Sequence, residues 1–214
     1  MYDALHKTEH GRVKDFVRMT TNKPRGRGRP RRFDPEEAVE AAQHLFHARG
    51  YDAVSVADLT AALGINPPSF YAAFGSKGGL YARVLKRYNA SNAVPLASLL
   101  RDDRPVSECL TAVLEEAARY YSANPEAAGC LVLEGVRCTD QDAREAALGY
   151  NLAAEGVIRD YLAARHPEQA ITLTDFVSTT MSGLSAKARA GHSVDQLLST
   201  ARLAGSAVAQ AVPS

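Results

Sequence analysis

The densest chemistry in the chain lies in ten residues near its front. Lys23-Pro24-Arg25-Gly26-Arg27-Gly28-Arg29-Pro30-Arg31-Arg32 holds six cations and no acid. Glycine and proline punctuate the run, so it cannot close into a helix. An extended, guanidinium-rich segment fits the minor groove of double-stranded DNA, where narrow A·T-rich stretches attract arginine. Each phosphate it neutralises releases counterions, which makes such binding salt-dependent. Arg27, Arg29, Arg31 and Arg32 are therefore candidate DNA contacts. The bland alternative is a solvated tail, but the run stands directly before a helical unit, which favours a DNA-binding arm.

Other chemistry is sparse. No GxSxG, P-loop, Rossmann glycine pattern, HExxH or kinase set occurs, so neither an enzyme nor a cofactor is expected. His44 and His47 are three apart on one predicted helix, but no cysteine or further carboxylate has ligand spacing around them, so no metal site is expected. The three cysteines are Cys109, Cys130 and Cys138. An intrahelical bridge between the last two would span about 12 Å at 1.5 Å per residue, beyond the roughly 7 Å limit for a disulfide. Thiol modification at Cys130 or Cys138 stays open as an alternative.

Charge is unevenly spread. The 214 residues sum to +1, yet 21–90 carry eleven basic and six acidic side chains while 91–214 carry ten and fifteen. A basic front on an acidic rear suggests that the front meets a polyanion. Hydrophobic residues make up 46% and charged residues 23%, which excludes global disorder. Apolar runs fall short of the roughly 20 residues that cross a bilayer. With no secretory leader and few cysteines, a cytoplasmic protein without a membrane partner is expected. Residues 1–18 show no convincing element, and translation starting at Met19 rather than Met1 is a hypothesis.

The elements that must hold this chemistry read as helices. Asp34-Pro35-Glu36-Glu37 predicts a helix start with a capping box between Asp34 and Glu37, ending at Gly50. Ser55 and Asp58 form a second capping-box pattern, for a helix from Val56 to Leu63. Gly64-Ile65-Asn66 follows, then Pro67 opens a third helix that stops at Gly75, and Ser76 opens a fourth. Two short helices joined by a Gly-containing turn are a helix-turn-helix pattern, whose second helix enters the major groove. Ser55, at a helix N-terminus, can meet a phosphate. Asn66 and Pro67 stand at the entry of the third helix, Ser69 and Ala72 face the groove side, and Phe70 and Phe74 read as core. Further on, apolar stripes predict helices over Pro105–Ala123, Pro125–Cys138, Thr139–Arg165, Thr174–Ala190 and from Ser193 to the end.

The stretch Gly50-Tyr51-Asp52-Ala53-Val54-Ser55-Val56-Ala57-Asp58-Leu59, then Ala62-Leu63-Gly64-Ile65, Ser69-Phe70-Tyr71-Ala72-Ala73-Phe74-Gly75-Ser76-Lys77 and Leu80-Tyr81, resembles the TetR family of bacterial transcriptional regulators. The match covers about residues 33–81. The resemblance implies an all-α homodimer of about nine helices. Residues 1–32 would be a flexible extension with a basic arm, 33–80 the DNA-binding domain and 81–214 a helical regulatory and dimerisation domain. It implies a repressor of a palindromic double-stranded operator, released by a small-molecule effector. The alternatives are a thiol-sensing regulator or a ligand-independent DNA-binding protein. Tyr71 and Lys77 match family positions that contact phosphate. Pro67-Pro68 stands where the family often has Lys-Gly, and Ala72-Ala73 where a His is common. That departure implies fewer direct hydrogen bonds to bases and more thymine-methyl contact, arm contact and shape readout. A ligand pocket between the middle helices would draw on Tyr120, Tyr121, Glu134, Cys138, Tyr150 and Phe176. The family's pairing of the last two helices makes Phe176, Thr180, Leu184, Leu198, Ala201, Gly205 and Val208 candidates for the dimer interface.

Overall fold

Each helix at the front of the chain owes its start to a side chain and its stop to a glycine or a turn. The computed structural model describes residues 34–212, and the basic run lies outside the described residues. Among the described residues there are ten α-helices, one 3-10 turn and no strand, which is the all-α architecture expected. The first four are α1 (Pro35–Arg49), α2 (Val56–Leu63), α3 (Pro67–Phe74) and α4 (Lys77–Ser91).

Asp34 caps α1 by accepting from Glu36 N at 2.8 Å, and the expected box with Glu37 does not close. The box at α2 does close: Asp58 N donates to Ser55 Oγ at 3.1 Å and Ser55 N to Asp58 Oδ2 at 2.8 Å. Gly64 then takes the left-handed backbone at φ +64°, where a Cβ would be strained. Asn66 Oδ1 accepts from Ser69 N at 2.9 Å and opens α3. Phe70 and Phe74 are buried, as their spacing implies. Phe46 of α1 packs on Tyr51 and Tyr81, with ring centroids 5.7 and 5.1 Å away.

The rest comprises α5 (Leu96–Leu99), α6 (Val106–Ser122), the 3-10 turn Pro125–Ala127, α7 (Leu131–Gly135), α8 (Gln141–Ala163), α9 (Ala170–Arg189) and α10 (Val194–Ala211). α6 lies along α10 and α9, α8 along α9 and α7, and α4 touches both α1 and α8. Three expectations change. The single helix expected over Pro125–Cys138 is broken, because Gly129 adopts φ +84° and its N–H bonds Tyr121 O at 2.8 Å. The freed Cys130 N–H donates to Ser185 Oγ of α9 at 2.9 Å. α9 begins at Ala170, ahead of Thr174. The short α5 has no side-chain cap and no apolar period to announce it.

Candidate functional site

The helix-turn-helix presents a continuous exposed edge. Ser55, Asn66, Pro67, Ser69, Tyr71 and Ala72 are all exposed, and Tyr71 keeps half of its surface free while its ring packs edge-on against Phe70. The open side of α3 therefore carries prolines, alanines, one hydroxyl and one phenol. Such a face offers van der Waals contact to thymine methyls and few donors to base edges. Ser55 is also spoken for internally, since its hydroxyl donates to Asp58 Oδ2 at 2.6 Å. Those bonds from Ser55, with Arg49 beside it at 3.3 Å, hold the Asp58 carboxyl down to about 2.

Lys77 sits differently from a free phosphate contact. Its Nζ donates to Tyr51 O at 3.1 Å and Val54 O at 3.0 Å, and it lies 3.9 Å from the centroid of the Tyr51 ring. It ties the start of α4 to the loop that launches α2. Arg83, which no sequence pattern singled out, caps the other end of α3 by donating to Ala73 O at 3.2 Å. Cations suit a helix C-terminus. Arg27, Arg29, Arg31 and Arg32 lie outside the described residues.

A cavity of about 400 Å³ opens between α4, α6, α7, α8 and α9. Of the six expected ligand residues, Tyr121 and Tyr150 line it. Tyr120 lines a separate polar cleft between α1 and α6, beside His44 and His47. Glu134 pairs with Arg189 at 3.3 Å, Cys138 is buried with its thiol donating to Asp140 O at 3.5 Å, and Phe176 is exposed on α9. Tyr88, Cys130, Glu155 and Met181 were missed. They come from four different elements, so no local spacing links them. At one wall the hydroxyls of Tyr88 and Tyr121 share hydrogen bonds with the Cys130 thiol. Burial pushes both phenols and the thiol up, so all three are neutral at physiological pH.

One segment joins this cavity to the helix-turn-helix. The Arg189 guanidinium donates to His47 O at 3.0 Å and Ala128 O at 2.8 Å while pairing with Glu134. His47 Nε2 stands 3.0 Å from Gly129 O, and burial lowers its pKa. Further along, Thr139 donates twice to Asp52, at 2.9 Å each, and Tyr51 Oη donates to Asp140 at 3.1 Å.

The expected dimer residues divide between two faces. Leu184, Ala201, Gly205 and Val208 are buried in the chain's own core, where a Cβ on Gly205 would collide with Thr111 of α6. That removes these four from any partner. Phe176 is exposed, and Thr180 and Leu198 are half-buried. The most exposed large apolar residues of α9 and α10 are Ile171 and Leu203, at 69% and 74%. Single-helix periodicity finds an apolar stripe but cannot say which neighbour covers it.

The family of bacterial regulatory proteins called tetR matches residues 38–84. The HTH-type transcriptional repressor BdcR of Escherichia coli (strain K12) is 60% identical over 190 residues, covering 89% of this chain and 96% of that protein. The HTH-type transcriptional repressor ComR of the same strain is 30% identical, covering 83% and 90%. Among solved structures, the TetR family regulator CifR, as a cysteine mutant complexed with 26 bp double-strand operator DNA, is 28% identical. It superposes with a TM-score of 0.75, covering 84% of this chain and 99% of that one.

Proposed function

The chain belongs to the TetR family of bacterial regulatory proteins, and we infer that it is a DNA-binding transcriptional repressor that holds a palindromic operator as a homodimer. The observation that carries this is the exposed α2–turn–α3 unit, capped at both helix starts and backed by a buried aromatic core. Its relatives BdcR and ComR are transcriptional repressors, and CifR has been seen on operator DNA.

In this reading residues 33–80 form the DNA-binding domain, 81–214 the regulatory and dimerisation domain, and 1–32 an extension that carries the basic arm. Tyr71 meets a phosphate, Asn66, Pro67, Ser69 and Ala72 line the groove, and Arg27, Arg29, Arg31 and Arg32 occupy the minor groove. Ser55 adds backbone and hydroxyl contact at the start of α2. Lys77 contributes by fixing the geometry of α2 against α4. Ile171, Phe176 and Leu203 supply the dimer face. Two heads spaced about 34–36 Å apart then reach successive major grooves on one side of the duplex.

The cavity is the effector site. α4 runs from Lys77, anchored to the head, to Tyr88 in the cavity wall, so a ligand that repositions one end repositions the other. The effector acts by favouring a head spacing that no longer fits the operator. A thiol-sensing mechanism has less support, because the Cys130 thiol is buried and held protonated. The site of action is the cytoplasm, where the operator is; no helix among the described residues is long and apolar enough to cross a membrane.

The test is selection of genomic fragments by the purified protein, then titration on the selected site. Enrichment of one palindrome bound by an even number of subunits supports the reading. Weak binding without sequence preference overturns it.

A further inference from the structure

The cavity wall carries one formal charge. Among the described residues no Lys, Arg or His lines it, and the only carboxylate is that of Glu155 on α8. That carboxylate accepts a single hydrogen bond, from Asn151 Nδ2 one turn earlier at 3.0 Å, and no described cation pairs with it. The same cavity is lined by Tyr88, Tyr121 and Tyr150 and by the aliphatic groups of Val132, Ile158 and Met181. Burial holds the phenols of Tyr88 and Tyr121 neutral, so they add aromatic surface of negative potential and no formal charge.

This combination selects ligand charge. A carboxylate beside apolar surface loses hydration when a ligand fills the space, and a cation that donates a hydrogen bond returns more of that energy than a neutral donor. Aromatic faces attract an ammonium as well. A neutral ligand leaves Glu155 uncompensated, and an anion adds repulsion. We propose that the cavity takes a lipophilic organic amine, its ammonium on Glu155 and its apolar body among Val132, Ile158 and Met181. This rests on the reading of the cavity as the effector site and names the chemistry of its ligand.

Three probes with one body and different heads test it on the full chain: phenylbutylamine, phenylbutanol and phenylbutyrate. Calorimetry at neutral pH is expected to give the amine at least about tenfold tighter binding than the alcohol. The carboxylate should bind more weakly than either. Glu155→Gln keeps the size of the side chain and an acceptor for Asn151. It should abolish the amine's advantage, leaving the amine no tighter than the alcohol, with the alcohol bound at least as well as before. Equal affinities, no binding of the amine, or an amine preference that survives in E155Q overturns the proposal. If E155Q does not fold, the amine-to-alcohol ratio in the unaltered protein decides. Operator release is read in parallel. An amine that binds through Glu155 yet leaves the operator bound upholds the ligand class and defeats the effector reading. Release by alcohol and acid without preference for the amine does the reverse.

Discussion

Arg189→Met is the substitution with the widest expected effect for its size. The guanidinium of Arg189 bridges three elements: it donates to His47 O at the end of α1, donates to Ala128 O before α7, and pairs with Glu134 at 3.3 Å. Its side chain is 23% exposed, so water replaces these contacts poorly. Hydrogen bonds to a charged group contribute about 1.5–3 kcal/mol each, and a half-exposed ion pair adds under about 1 kcal/mol. Met preserves the aliphatic stem that packs near Gly129, so the expected loss is about 3 kcal/mol after allowance for partial solvation. For a chain of this length that lowers Tm by about 6–12 °C. Differential scanning calorimetry at fixed protomer concentration measures it, since association shifts the apparent Tm. Arg189→Lys should recover less than half, because one ammonium cannot reach both carbonyls and the carboxylate in the guanidinium's fork geometry. A drop of less than about 2 °C, or full recovery with Lys, refutes the assignment of Arg189 as the tie between α1 and the cavity segment.

Five further outcomes are expected. Replacing both Arg29 and Arg31 by Ala should weaken operator binding broadly and lower the salt slope by about two. Tyr71→Ala should weaken binding about tenfold, or ~1.4 kcal/mol, without altering the dimer in sedimentation. Burial lowers the His47 pKa below 6.5. Stability from this group is therefore present above pH 6.5, where His47 is neutral in both states. It is lost as pH falls below that and the unfolded chain takes up a proton that the folded chain refuses. Denaturant titrations from neutral to acidic pH should show the decline, and His47→Gln should flatten it. Gly205→Val should cost about 1–3 kcal/mol by overpacking against Thr111, read as a lower unfolding midpoint. Leu203→Glu should leave secondary structure unchanged yet shift the sedimenting species toward monomer, because Leu203 is 74% exposed and touches little of its own chain.

The front of the chain was legible because its signals are local. Asp34, Ser55, Asn66 and Ser76 each stand at a helix start and bond a backbone N–H within three residues. Gly64 marks its turn by a backbone conformation that few other residues adopt. The cavity had no such signature. Tyr88, Cys130, Glu155 and Met181 converge from elements far apart in sequence, and no local spacing links them. The same limit explains the break at Gly129. Leu131, Val132 and Leu133 look like the continuation of a helix until Ser185, on an element more than fifty residues later, takes the Cys130 N–H.

α10 shows what decides between a core face and an interface. Leu197, Ala201, Gly205 and Val208 form its apolar stripe, and small residues there permit close approach of a second helix. Sequence alone cannot tell whether that helix is α6 of the same chain or α10 of another copy. The fit of Gly205 against Thr111 settles it for α6. The face that remains holds Leu203, and α9 beside it holds Ile171 and Phe176, all exposed. A helix with its core stripe already satisfied has no intramolecular use for a large aliphatic residue on the opposite side. In the proposed dimer those residues are where a second subunit would gain the most buried area, and their pairing would set the distance between the two DNA-binding heads.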